Sequence, residues 1–553
     1  MSGASPASNP DRPGAPAPGR GRDLLLALLI AASRAPFLAA GYGTDTDAWK
    51  LAWAAREIGT TGHYAPSRLP GFPVQEYASA LLWRGGPLAL NGLSALASVI
   101  AALLFLRLWR RLGGRDAALA TVAFAFVPAV FVGSVSAMDY LWAEAFVLGA
   151  VNLALDGRAA ASGLLLGLAT GCRITSAALG LPVALLLAGG LRRPRLAPLA
   201  TLAGVAAGVA GLWYLPAFRR FGLGFLSYYE PQGTQKSVLE FLGGMVRLGP
   251  APFSPALIAG QATVGVFGVL GTLGLAIAAL AALLAAPGIR ARGTAGAKGH
   301  PARHPPAPPP GHPPQPDPGP ERSIVLPPGT LPGLVAGVLV TLALYLRLPH
   351  DEGYLIPAVP FVLLLLGAWT PRAVLRPCLA ALILSPLVLG VDVVPPKKGS
   401  TPAHPSPLAY EFRVGRETVV VEPLRGPLLL DAAKRERSMA IARRTLAALG
   451  RLPDRAFLLA GVLHPVLFYF APDDPRHPLY TDLLGAAALA DSIQAGRRVY
   501  YLPDLPRRAR RVAGYDLRAA GAEPLFPEED DPATGPSAAG RDTVQALPGP
   551  PRR

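Results

Sequence analysis

Eleven stretches of this chain are strongly apolar, most of them long enough to cross a bilayer: 24–41, 87–106, 117–137, 141–155, 159–172, 174–190, 196–217, 260–286, 329–347, 354–370 and 373–391. Crossing a hydrocarbon core takes about 20 apolar residues in a helix. No water is available there, so the backbone must satisfy its own polar groups, and a helix does so within one segment. Charged residues make up only 16% of the chain, against about 25% in soluble domains. The sequence therefore predicts a polytopic, multi-pass all-α membrane domain of about eleven helices.

Where the chain is charged it is basic, with a formal net charge of +17. The basic residues flank the apolar runs, a pattern that orients helices rather than one that grips nucleic acid. Arg107, Arg110, Arg111 and Arg115 form one cytoplasmic cluster; Arg290, Arg292 and Lys298 form another, and Arg372 with Arg376 a third. Arg158 lies before, and Arg192, Arg193 and Arg195 after, the paired runs 159–172 and 174–190. Both flanks read as cytoplasmic, so the pair is expected to be two helices meeting at an outer turn around Arg173. Arg219 and Arg220 break the rule on the outer side, where a lipid phosphate would suit them.

Residues 1–22 read as a disordered cytoplasmic tail, 23–391 as the membrane domain with a first outer loop at 42–86, and 288–327 as a Pro-rich cytoplasmic linker. His300, His304 and His312 fall in that linker and read as part of it rather than as a metal tract. Residues 392–525 are expected to form a small extracytoplasmic α/β domain. Its strands are expected at 418–421, 457–460 and 499–502, and its helices at 431–449 and 480–495. Residues 526–553 read as a disordered tail. Cys172 and Cys378 lie in or beside separate spans, which offers neither a structural disulfide nor metal-ligand spacing.

Five polar constellations gather on the outer side. Asp45 and Asp47 precede an amphipathic stretch, 48–58, whose Trp49 and Trp53 suit a membrane surface; on spacing alone one of the two acids is a helix cap. Ser67–Pro73 carries Arg68 on a Pro/Gly turn, a rigid mount for gripping an anion. The stretch from His350 to Tyr354 includes Asp351 and Glu352, a donor set for a divalent cation or for placing a phosphate-bearing donor. Ser136–Tyr140 carries Asp139. Arg173, between Thr170 and Thr175, is an intramembrane cation, and such groups are usually functional.

The run from Asp47-Ala48-Trp49 to Ala55-Arg56-Glu57, followed by Gly62-His63-Tyr64, resembles the first periplasmic loop of the GT-C glycosyltransferases. That superfamily includes the protein O-mannosyltransferases and the lipid A aminoarabinose transferases. His350-Asp351-Glu352-Gly353-Tyr354, with Pro357 and Pro360, is similar to its late motif. Arg56 stands nine residues after Asp47, as the family's Arg does after its catalytic Asp. Two positions depart: Ala48 where the family has Glu, and Gly353 where it has Arg.

The resemblance implies a GT-C-like membrane fold in the inner membrane of a bacterium. It implies inverting transfer of a sugar from a polyprenyl-phosphate donor to an acceptor (a glycan, a lipid or a protein) on the extracytoplasmic face. Asp47 would be the general base, supported by Asp45. Arg68, Arg173 and His350 would hold the donor phosphate. Tyr64, Asp139, Glu352 and Tyr354 complete the candidate site. A divalent metal ion is the one cofactor left open, membrane lipid is an expected partner, and nucleic acid is not. The rival readings are a polytopic transporter, which calls for midplane charges and internal repeats, and a non-catalytic partner in envelope assembly.

Overall fold

The computed structural model describes residues 19–189, 196–226, 255–285, 323–347, 351–394, 408–414, 417–453, 456–460, 463–471, 495–502, 511–512, 515–516 and 522–526. His350, most of the Pro-rich linker, the helix expected at 480–495 and the C-terminal tail lie outside these residues.

The described chain is mostly helical. Four helical segments are long and apolar enough to cross a membrane: Pro73–Arg111, Leu196–Leu226, Ile258–Leu284 and Glu352–Trp369. A fifth span results if the bent pair Ala117–Phe126 and Pro128–Ser134, angled by 68°, crosses as one. Tyr140–Leu155, Ala159–Cys172, Ile174–Leu187 and Leu331–Arg347 are apolar but shorter. The expected eleven runs are thus helical, but several are broken or short. Leu24, Leu25, Leu28 and Leu29 at one edge, and Leu273, Ile277, Leu280 and Leu283 at another, are exposed. Such contiguous apolar surface suits lipid and not water.

In chain order, α1 is Arg20–Arg34, α2 Thr46–Thr61, α3 Pro73–Leu82, α4 Gly86–Arg111, α5 Ala117–Phe126 and α6 Pro128–Ser134. Next come α7 Tyr140–Leu155, α8 Ala159–Cys172, α9 Gly180–Leu187, α10 Leu196–Phe221, α11 Pro255–Gly260 and α12 Val266–Leu284. Then α13 is Leu331–Arg347, α14 Val359–Trp369 and α15 Arg372–Val388. The C-terminal region adds α16, Pro427–Leu449, and α17, His464–Phe470.

Chemistry explains the breaks. Pro128 has no N–H to continue α5, so the chain bends there. The fully buried Arg34 meets the break, donating to the Ala125 carbonyl and to Ser134 Oγ at 3.2 Å, with Phe131 4.0 Å from its guanidinium carbon. After α8, Arg173 is extended and a 3-10 turn, Ile174–Leu179, leads into α9; the paired runs are two helices, not one. The last apolar run also ends early: strand β1, Leu389–Val394, begins inside it. The linker's final residues are packed too, with Ile324 buried and its N–H donating to the Gly367 carbonyl at 2.9 Å.

β1 pairs with β3, Glu417–Pro423, and β3 with β2, Tyr410–Val414, all antiparallel, with Val391 opposite Val421. Beyond α16, β4 (Phe457–Leu459), β5 (Val499–Tyr501) and β8 (Glu523–Pro524) form a parallel sheet, and β6 (Arg511–Val512) pairs with β7 (Tyr515–Asp516). Strands appear at the three expected places. They do not stand clear of the helices. Arg56 donates to the Tyr469 carbonyl at 2.9 Å, and Tyr42 bonds the Tyr469 hydroxyl at 2.7 Å. Trp49, expected at a lipid surface, is instead buried against Tyr42, Tyr469 and Phe470, because α17 covers it.

Basic residues knit one end of the bundle. Arg110 forks onto Asp23, Arg111 pairs with Asp156, and Arg372 and Arg376 both grip Asp116. The polar constellations around Asp139 lie at the other end of α7, about 24 Å away at 1.5 Å per residue.

Candidate functional site

Asp45 starts α2. Its Oδ1 accepts the Asp47 N–H at 2.9 Å, so Asp45 is the helix cap. Asp47, in the first turn, takes Lys50 Nζ at 3.0 Å and Arg68 Nε at 3.2 Å. The two carboxyls titrate apart. Burial, then the charge of Asp47, raises Asp45 above the usual carboxylate range. Burial pushes Asp47 up as well, but Arg68 and then Lys50 outweigh it and hold that carboxyl low. Ala48, just after Asp47, is fully buried, and even a Cβ on Gly43 would come within 2.8 Å of its methyl. A Glu, as in the GT-C pattern, has no room there.

Arg68 owes its position to a residue that the sequence did not single out. Glu76, in the first turn of α3, is fully buried and accepts four hydrogen bonds. They come from Tyr64 Oη at 2.6 Å, Ser67 N–H at 2.6 Å, Ser67 Oγ at 2.7 Å and Phe72 N–H at 3.0 Å. The Arg68 turn is thereby tied at both ends. Gly71, at φ +98°, passes so close to the Tyr64 hydroxyl that a Cβ would lie 2.3 Å from it. Tyr64 thus serves the loop, and Arg220 reaches its carbonyl at 2.6 Å, so that arginine has a protein partner where lipid was expected.

Arg68 then meets Asp139. That carboxylate, 2% exposed, takes Arg68 Nη2 at 3.1 Å on one oxygen and Arg173 Nη1 at 2.5 Å on the other. The Arg173 guanidinium lies 4.5 Å from the Tyr140 ring and 4.3 Å from the Tyr354 ring. The Tyr140 hydroxyl donates to Asp351, whose other oxygen takes the Gly353 N–H at 2.8 Å. A Cβ at 353 would strike the Tyr140 ring at 2.6 Å, so this chain has glycine where the GT-C motif has arginine. Burial disfavours the charge on Arg68, but Asp139 and then Asp47 more than compensate and raise its pKa.

Asp45, Asp47, Arg68, Asp139, Arg173, Tyr354 and, through Tyr140, Asp351 therefore form one connected cluster, although they are drawn from five separate stretches. Beside it opens a cavity of about 680 Å³. Its polar side holds Thr44, Asp45, Tyr140, Asp351 and Glu352, and its apolar side runs along α6, the start of α12, and β1. Asp47, Arg68 and Arg173 stand behind this wall and are not among its lining residues. Helix α16 closes the cavity with Pro427, Leu430, Asp431 and Lys434, none of which the sequence had marked. Among the described residues no group of three or more His, Cys, Asp and Glu is arranged to hold a metal.

One more group went unmarked in the sequence. Glu144, within α7, is fully buried, and neither carboxyl oxygen has a hydrogen-bond partner among the described residues. No protein-family model, curated protein or solved structure matches the chain.

Proposed function

We propose that the chain is a membrane glycosyltransferase. It would move a sugar from a polyprenyl-phosphate donor to a glycan, lipid or protein acceptor on the extracytoplasmic face. One observation carries this reading: a single cavity joins carboxylates and a tyrosine to a long apolar wall. A sugar offers hydroxyls that carboxylates accept, and a polyprenyl chain needs apolar surface. The reading includes a GT-C-like bundle of about eleven crossings, with the basic end cytoplasmic and the C-terminal region outside. Cysteines placed at 310 and 475 would then label from opposite sides.

In this reading the base is Asp45 rather than Asp47. Asp45 lines the cavity, and its raised pKa makes it the better proton acceptor. Its carboxylate takes the proton of the acceptor hydroxyl as that oxygen bonds the anomeric carbon. The bond from that carbon to the donor phosphate breaks on the opposite side, and the phosphate leaves on its lipid with inversion at the sugar. Asp47, held ionised by Arg68 and Lys50, keeps the pair from sharing one proton. A base of this kind contributes about 10²–10⁴ in rate. The test is transfer by membranes bearing wild type, Asp45→Asn or Asp47→Asn. Asp45→Asn is expected to lose that factor and Asp47→Asn less. Equal transfer by all three would remove both carboxyls from the base's role, and no transfer by wild type would remove the glycosyltransferase reading.

Glu144 favours a second reading. An unpaired intramembrane carboxyl is a common feature of proton-coupled transporters. Under that reading Glu144→Gln would abolish substrate uptake into proteoliposomes driven by a pH gradient.

A further inference from the structure

A phosphate leaving group develops negative charge and needs a cation at hand. Arg68 and Arg173 are the cations the sequence offered, but both are bound to Asp139, Arg68 also to Asp47, and neither lines the cavity. Among the described lining residues only Lys434 is basic. It comes from α16, at the same helical face as Pro427, Leu430 and Asp431, a spacing that stacks side chains along one stripe.

That stripe is fixed in place. Thr44 Oγ1 donates to Asp431 Oδ1 at 2.8 Å, which joins α16 to the segment just before Asp45. Arg435, next to Lys434, is fully buried, pairs with Asp431, and donates to the Val135 carbonyl at 2.7 Å, just beyond the end of α6. Lys434 itself is exposed, and its surface faces the cavity.

Among the described residues, four carboxyl groups line the cavity with it, Asp45, Asp351, Glu352 and Asp431. Asp431 has Arg435 and Thr44, Asp351 has Tyr140 and the Gly353 N–H, and Asp45 has the Asp47 N–H. The Lys434 charge acts on Glu352, which lines the same cavity. Leu430, one turn before Lys434, joins Leu389, Val391 and Val419 in the apolar wall. A single-chain amphiphile lying on that wall would bring its head to the lysine.

We propose that Lys434 binds the anionic head of a lipid phosphate whose tail lies along the apolar wall of the cavity. The C-terminal region is then part of the ligand site and not an appendage to it. The proposal rests on the glycosyltransferase reading for the identity of the ligand as a lipid phosphate, and it further assigns the contact to this residue. Glu352 competes with the phosphate for Lys434, so removing its charge should favour binding.

The test is thermophoretic binding to the full chain in detergent, with farnesyl phosphate, farnesol and inorganic phosphate as probes. Lys434→Gln is expected to weaken farnesyl phosphate by about tenfold or more, the loss of one charge-assisted contact, and to leave farnesol unchanged. Lys434→Arg should restore most of the affinity, and Glu352→Gln should tighten it. The proposal is overturned if wild type fails to bind farnesyl phosphate, if Lys434→Gln binds it unchanged, or if the variant loses farnesol equally. Inorganic phosphate binding as tightly as farnesyl phosphate would also overturn it, because the tail would then contribute nothing. The expected binding pattern without any sugar transfer by wild type would support this assignment and defeat the glycosyltransferase reading.

Discussion

The Arg435 guanidinium donates to the Val135 carbonyl across 2.7 Å, joining residues 300 positions apart in the chain. Together with its pairing to Asp431 this fastens α16 to the membrane helices. Breaking a buried ion pair from one side strands the other charge, at a cost of about 3–5 kcal/mol. Arg435→Met should therefore lower the unfolding temperature of the purified chain sharply. Adding Asp431→Leu should recover much of the loss, since the stranded carboxylate goes with it.

The loop that presents Arg68 depends on Glu76. Glu76→Gln preserves size but turns one acceptor oxygen into a donor, facing donors already in place. At least one buried donor is left without a partner, at about 1–3 kcal/mol. Tyr64→Phe removes one of the four hydrogen bonds and should cost less. Proteolysis within the first outer loop is the measurement: Glu76→Gln should be cut faster than Tyr64→Phe, and both faster than wild type.

Asp116 sits between Arg372 and Arg376, whose hydrogen bonds pull its pKa well below the ordinary aspartate value. A carboxyl lowered in the folded state stabilises the protein fully above its unfolded pKa, about 3.9. That contribution is lost as pH falls through the lowered folded value. Asn tolerates the left-handed backbone at this position (φ +57°), so Asp116→Asn removes the charge without new strain. The stability gap between wild type and Asp116→Asn should be largest above about pH 4 and close progressively in stronger acid.

If Asp45 is the base, transfer should rise with pH through its raised pKa. Asp47 is one cause of that elevation. Asp47→Asn should accordingly shift the acid limb of the pH–rate profile downward, whereas Asp47→Glu should leave it nearly in place. An unmoved limb in Asp47→Asn would show that the two carboxyls do not titrate together.

Much of the polar cluster was legible in the sequence, because its members stand out against apolar surroundings. Asp45, Asp47, Arg68, Asp139, Arg173, Glu352 and Tyr354 could each be marked by charge or ring placement at the end of an apolar run. Their joining through Asp139 and Tyr140 could not, since it depends on helices crossing in space. Glu76 gave one faint signal, an acid buried in the first turn after Pro73, which reads equally as a helix-end charge. Lys434 and Arg435 sit in the run Asp431–Arg437, which looks like a solvated helix face, yet one of the two is fully buried. The break at Arg173 was legible from the basic charge on both flanks, but the bend within 117–137 was hidden. Hydropathy reports apolar length, while Pro128 decides where that helix stops.

The closure of the cavity by α16 also orders events in biosynthesis. Every other wall is encoded before residue 424, and the last one emerges only after the membrane helices have been made. A chain arrested after β1 would carry the acidic cluster around an open trough. The ribosome therefore completes the site late, and a premature stop yields an inserted protein with the chemistry exposed and no enclosure.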